Sequence, residues 1–164
     1  MNDFSSFKSR RLRQQTNTNI AHFLTFAYDQ NWFAISVLSV IKVITTEAIY
    51  GLSPSNPISL TQYQNQEIVV IDLAYLLGLE KSTNQTSYPY LLIMQLANQD
   101  LVGLPLVNPP VIQRVPTENI ASLPTSYLTK NKIASLSSKI VKIPNSHPLF
   151  LLDTDKLNDL FSLS

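Results

Sequence analysis

From residue 20 onward, apolar side chains come in short runs separated by polar or turn-forming residues. Residues 23–28 predict a strand, and Asp29, Gln30 and Asn31 supply the turn that follows. Residues 32–37 predict the returning strand, so the pair reads as a hairpin. Val37, Leu38, Val40, Ile41, Val43 and Ile44 then fit a short helical turn running into a strand. Gly51, Pro54, Asn56 and Pro57 predict a loop over 51–62. Residues 68–71 are continuously apolar and too short for an isolated helix. Asp72 follows as a predicted helix N-cap, with Leu73, Leu76 and Leu77 at helical spacing and Gly78 ending the turn. Residues 90–96 predict a buried strand, Asn98, Gln99 and Asp100 a turn, and residues 101–107 its return. Pro105 within that return predicts an edge strand or bulge. Residues 111–115 predict a strand bracketed by Pro109, Pro110 and Pro116, and 149–152 another. Asp153 and Thr154 then open a final helix carrying Leu157, Leu160 and Phe161.

These elements occur twice in the same order. The first half runs hairpin with an Asp-Gln-Asn turn, Ala34-Ile35, then Val40-Ile41-Lys42-Val43, and reaches Val69-Val70-Ile71-Asp72 with Leu76 behind. The second runs hairpin with an Asn-Gln-Asp turn, Gly103-Leu104, then Val111 to Val115, and reaches Phe150-Leu151-Leu152-Asp153 with Leu157 behind. Two small β-units joined near residues 80–90 follow from that order, and closure into barrels would remove their exposed edges.

The chain has 164 residues, 45% of them hydrophobic, enough to build a core. Residues 1–19 lack apolar periodicity and hold Lys8, Arg10, Arg11 and Arg13; they read as a disordered basic tail. Beyond it eight basic residues face ten acidic ones, so the body makes no electrostatic case for nucleic acid. The tail's charge suits solvent first, and an anionic lipid, nucleic acid or acidic protein surface second. With no cysteine there is no disulfide, thiolate metal site or cysteine nucleophile. The N-terminus lacks an apolar signal core, and the longest apolar stretch, 32–44, contains Ser36, Ser39 and Lys42 and falls short of a span. A cytoplasmic protein is the expectation.

Candidate chemistry is sparse. His22 and His147 stand alone, with no ligand spacing around them. Three scattered glycines cannot make a phosphate loop, and no Gly-x-Ser-x-Gly elbow occurs. Asp72 and Asp153 read better as helix caps than as paired catalytic carboxylates. No catalytic, metal or cofactor-binding residue is therefore expected.

The segments FLTFAYDQNWFAI with VLSVIKV, QEIVVIDLAYLLGL, YLLIMQLANQDLVGLPL, SYLT and PLFLLDTDKL together resemble the CheW-like domain family, the receptor–kinase adaptors of bacterial chemotaxis. The resemblance runs from about residue 21 to the C-terminus. It implies a mainly β fold of two five-stranded barrels with short helices, intertwined over roughly 35–85 and 86–145, with the terminal segments packing across. It implies no enzymatic activity and no cofactor. The implied partners are the regulatory domain of a CheA-type histidine kinase and the cytoplasmic tip of a chemoreceptor, the latter reaching the groove between the barrels. Val37, Leu38, Ile41, Lys42, Tyr63 and Gln64 are the interface candidates. The family's Asn-Leu-Arg-Gly is here Gln62-Tyr63-Gln64-Asn65, so an uncharged Gln64 replaces the Arg and Asn65, which tolerates a left-handed backbone, replaces the Gly. Lys42 stands where Glu is frequent, Val69 where Pro is usual and Val107 where Asp often follows Val-Gly-Leu. A receptor different from the usual one, as in pilus-based motility, fits those changes. The competing expectation is a small-ligand-binding β-barrel sensor, which needs a real cavity with convergent polar groups.

Overall fold

The computed structural model describes residues 19–28, 30–45, 58–78, 88–126 and 132–162. The basic tail through residue 18, Asp29, most of the expected loop at 51–62, and Tyr127 to Thr129 of the SYLT segment lie outside the described residues. The strands are β1 (Ile20–Tyr28), β2 (Asn31–Ser36), β3 (Val40–Thr45), β4 (Ile58–Tyr63), β5 (Gln66–Ile71), β6 (Tyr90–Gln95), β7 (Leu101–Leu106), β8 (Val111–Pro116), β9 (Ile120–Ser122), β10 (Ser137–Val141) and β11 (Leu149–Leu152). Helix α1 is Leu73–Leu76 and helix α2 is Thr154–Ser162; single 3₁₀ turns cover Val37–Ser39, Thr117–Asn119 and Lys132–Ser135.

Both aspartates cap as expected. Asp72 Oδ1 accepts from the Tyr75 amide at 3.1 Å, and Asp153 Oδ1 from the Asp155 amide at 2.9 Å. Gly78 takes φ +68° just past α1, the left-handed conformation in which a glycine carries no Cβ penalty. Residues 58–62, expected as loop from the Gly and Pro residues before them, form most of β4, whose pattern is inverted: Ser59 and Thr61 are buried while Leu60 is exposed.

The strands form a six-stranded sheet in the order β8-β1-β2-β11-β10-β9 and a five-stranded sheet in the order β3-β6-β7-β5-β4. The first five positions of one sheet repeat the other. In each, a hairpin (β1–β2 or β6–β7) has an antiparallel strand on its first arm (β8 or β3). Its second arm carries a parallel strand (β11 or β5), which in turn pairs with an antiparallel one (β10 or β4). Phe150 opposite Phe33 is thus equivalent to Val69 opposite Val102. The repeat is shared out by exchange: each hairpin joins strands from the other half of the chain.

That exchange corrects the expected boundaries. Residues 35–85 and 86–145 do not each make a sheet. The five-stranded sheet runs from β3 to β7, and the six-stranded one takes β1 and β2 plus β8 onward. The order of elements repeats along the chain, but pairing is decided by which apolar faces meet in space. β11, near the end of the chain, lies parallel to β2.

The mainly β, two-unit architecture stands, although the described strands form two open sheets rather than closed barrels. The open edges are blunted in three ways: a bulge in β3 between Val40 and Lys42, prolines around β8, and a β9 of three residues. β7 is interior rather than an edge. Its pairing with β5 covers only Val102 and Gly103, so Pro105 lies where that ladder has ended.

One large core cluster draws on both sheets, with Leu24, Phe26, Phe33 and Ile35 from one and Leu92, Met94, Leu104 and Leu106 from the other; Leu73 of α1, Leu77 at its C-cap and Leu157 of α2 seal it. A smaller cluster belongs to each sheet alone: Phe23, Ala34, Val115, Val141 and Leu149, and Ile68, Val70, Leu91 and Ile93. Strands apolar on both faces explain the unbroken runs in the sequence. Tyr28 ties the sheets polar to polar, its buried hydroxyl donating to the Pro105 carbonyl at 2.7 Å.

Candidate functional site

The candidate residues 37–42 form the junction that carries the chain from one sheet to the other. Ser36 caps the 3₁₀ turn by accepting from the Leu38 amide at 3.3 Å, which leaves Leu38 at the turn's apex with 94% of its surface exposed. Val37, Val40 and Val43 turn inward against the large core cluster. The β3 bulge leaves Ile41 out of the ladder and 48% exposed, with the exposed Lys42 beside it. A half-buried valine row packed on the core thus fixes an outward apolar pair, Leu38 and Ile41, flanked by one cation.

Tyr63 and Gln64 sit at the opposite edge of the same sheet. Gln64 and Asn65 take φ +50° and +63° between paired Tyr63 and Gln66, the signature of a two-residue type I′ hairpin. Gln64 is exposed, whereas Tyr63 is half-buried against the five-stranded sheet's own cluster. The strand registers put this turn, the β6–β7 turn and the Val37–Ser39 turn at one end of the sheet. Four inter-strand spacings, ~19 Å along the sheet, separate the β3 and β4 edges. The six candidates therefore share an end but make two patches.

Between those patches lies a cleft of about 580 Å³ that sequence reasoning missed. Ile68, Val69, Leu96, Leu101 and Val102 supply its apolar surface; Gln66, Glu67, Asn98 and Asp100 its polar rim. The Asn98–Asp100 turn is held by its own bonds: Asn98 Nδ2 donates to Asp100 Oδ2 at 2.8 Å, and the Asp100 amide donates to Asn98 Oδ1 at 3.0 Å. Both charged groups in the lining are carboxylates. Their local pattern marks only a strand start and a turn, and nothing in it shows that the two would adjoin. A second missed feature is β8, where Val111 and Ile112 are 61% and 65% exposed on an edge. A smaller cleft of about 270 Å³ adjoins the 3₁₀ turn, with Ser36, Ser39, Lys139 and Thr154 in its lining.

His22 is exposed on β1, and His147 stacks its ring on Trp32 at 6.5 Å and 5°. Among the described residues no three of His, Asp and Glu gather as metal ligands would, and no helix is long and apolar enough to cross a membrane.

The sequence matches the family described as CheW-like domain over residues 22–161. Among solved structures, the chain is similar to the scaffolding protein TtCheW from Thermoanaerobacter tengcongensis, with a TM-score of 0.66 and 16% identity over 85% of this chain and 92% of that one. No curated protein matches it in sequence.

Proposed function

The chain belongs to the CheW-like domain family, and from that membership we propose that it is a non-catalytic adaptor coupling a chemoreceptor to a CheA-type histidine kinase, in chemotaxis or pilus-based motility. The family is one of signalling scaffolds, so the chemistry asked of this chain is protein docking, without cofactor or turnover, in the cytoplasm. The observation that carries the reading is Leu38. A leucine with 94% of its surface exposed, on a capped turn backed by half-buried valines packed on the core, is preorganised for burial against another protein. Ile41 and Lys42 extend that surface toward the kinase's regulatory domain. The turn with Tyr63 and Gln64 is assigned to the receptor. An adaptor of this kind works by geometry: holding two partners at once raises their effective concentration and couples their states.

Titration calorimetry with a CheA-type regulatory domain tests the kinase arm. Binding is expected, and Leu38→Glu is expected to weaken it at least ~10-fold, about 1.4 kcal/mol. No binding at about 50 µM would sink the reading. Co-sedimentation with receptor tips tests the other arm. Gln64→Arg restores the charge usual in the family and is expected to shift which receptor fragments are carried down.

A further inference from the structure

The cleft between the β4–β5 and β6–β7 turns has a counterpart in the other sheet. Trp32 is equivalent to Leu101, each one residue before the matched pair Phe33 and Val102; His147 is equivalent to Gln66, each three residues before Phe150 and Val69. In the six-stranded sheet the corresponding positions hold two large rings, Trp32 and His147, stacked on each other. In the five-stranded sheet, Leu101 and Gln66 are smaller and leave the same place open as the acidic-rimmed cleft. Its floor asks for apolar groups and its rim, Glu67 and Asp100, for cations.

One segment of this chain carries both. Residues 7–13 place Phe7 and Leu12 among Lys8, Arg10, Arg11 and Arg13, four of the protein's twelve basic residues. The described body begins at Asn19, whose carbonyl accepts from the Thr117 amide at 2.9 Å. From there to Phe7 an extended segment reaches ~40 Å, about the width of a domain of this size. We propose that residues 7–13 dock in cis in the cleft between the β4–β5 and β6–β7 turns, Phe7 and Leu12 against its apolar floor and the arginines against Glu67 and Asp100. The occupant is the chain's own because its basic charge is concentrated there, while the body beyond residue 20 is slightly acidic. Docked, the segment lies between the two candidate interface patches, so it is placed to compete with whatever protein bridges them.

The absence of cysteine from the sequence makes the test direct. Ser9→Cys in the full-length protein gives one attachment point for a nitroxide spin label, and amide signals report where it dwells. The amides of Glu67, Val69, Asp100 and Val102 are expected to lose at least about half their intensity, while those of β9 and β10 keep theirs. Raising the salt to ~0.5 M, where charges more than a few ångströms apart are screened, is expected to restore the signals. So is Arg10→Glu/Arg11→Glu/Arg13→Glu, which leaves the folded body untouched. Unchanged cleft amides, or losses spread evenly over the surface, would overturn the proposal. Losses seen only when labelled and isotope-enriched molecules are different copies would replace the cis occupant with a second chain.

Discussion

Tyr28 shows how much one side chain can hold. It is buried, its ring lies edge-on to Phe26 and Phe33, and its hydroxyl crosses from β1 to the Pro105 carbonyl of β7. Burial, then the nearby charge of Asp72, then Tyr88, raise its pKa well above the ordinary 10.0. Above pH 10 an unfolded chain loses the Tyr28 proton while the folded chain keeps it. The native state then binds more protons, and stability falls as pH rises, by up to ~1.4 kcal/mol per unit. Tyr28→Phe is therefore expected to lower stability at pH 7 by about 1–2 kcal/mol, the net worth of a buried bond with its acceptor stranded. The same change is expected to flatten the loss of stability above pH 10. Urea titrations at pH 7 and at pH 11 check both; equal slopes in the two proteins would refute the alkaline part. Residue-scale roles were legible where the chemistry is local, as for the capping Asp72 and Asp153 and the left-handed Asn65. The sequence marks Tyr28 only as a strand residue, because its acceptor is 77 positions away.

At the scale of elements, the β4–β5 hairpin and the β6–β7 pair invite opposite interventions. The type I′ turn holds Gln64 and Asn65 at positive φ, where a side chain such as glutamine costs about 1 kcal/mol. Replacing the pair by Asn-Gly, the dipeptide that turn favours, is expected to raise the melting temperature by several degrees. A lower melting temperature would mean that Gln64 makes compensating contacts. On β7, a Cβ at Gly103 would come within 2.9 Å of the fully buried Leu91 side chain. Gly103→Ala is expected to cost about 1–3 kcal/mol in urea denaturation, through overpacking. The equivalent position in the other sheet is already Ala34, packed with Phe23. Strands with both faces buried stood out in the sequence as unbroken apolar runs. β4 and β10 did not: β4 buries Ser59 and Thr61, and β10 buries Ser137 and leaves Ser138 and Lys139 exposed beside a bulge.

For the molecule as a whole, the exchange of hairpins means that neither half of the sequence owns a complete sheet. The shared core cluster spans both sheets, so loss of one exposes the apolar face of the other. Thermal unfolding is expected to be a single transition, with the fluorescence of the sole tryptophan, Trp32, coinciding with far-ultraviolet circular dichroism. Two separated transitions would show the sheets to be independent. The doubling of elements was legible in the sequence, but the exchange was not, because β3 and β8 carry no mark of which hairpin they will join. The candidate docking surface was half legible: Leu38 and Ile41 lay in a run whose purpose was ambiguous, and the cleft arises only when β5 meets β7 in parallel. The exchanged strands also say something about descent. A half-length polypeptide with this order of elements would reach this pairing by trading hairpins with a twin. The present chain has the connectivity of that swapped pair with its two members fused end to end, so duplication of one gene would suffice to make the partnership permanent.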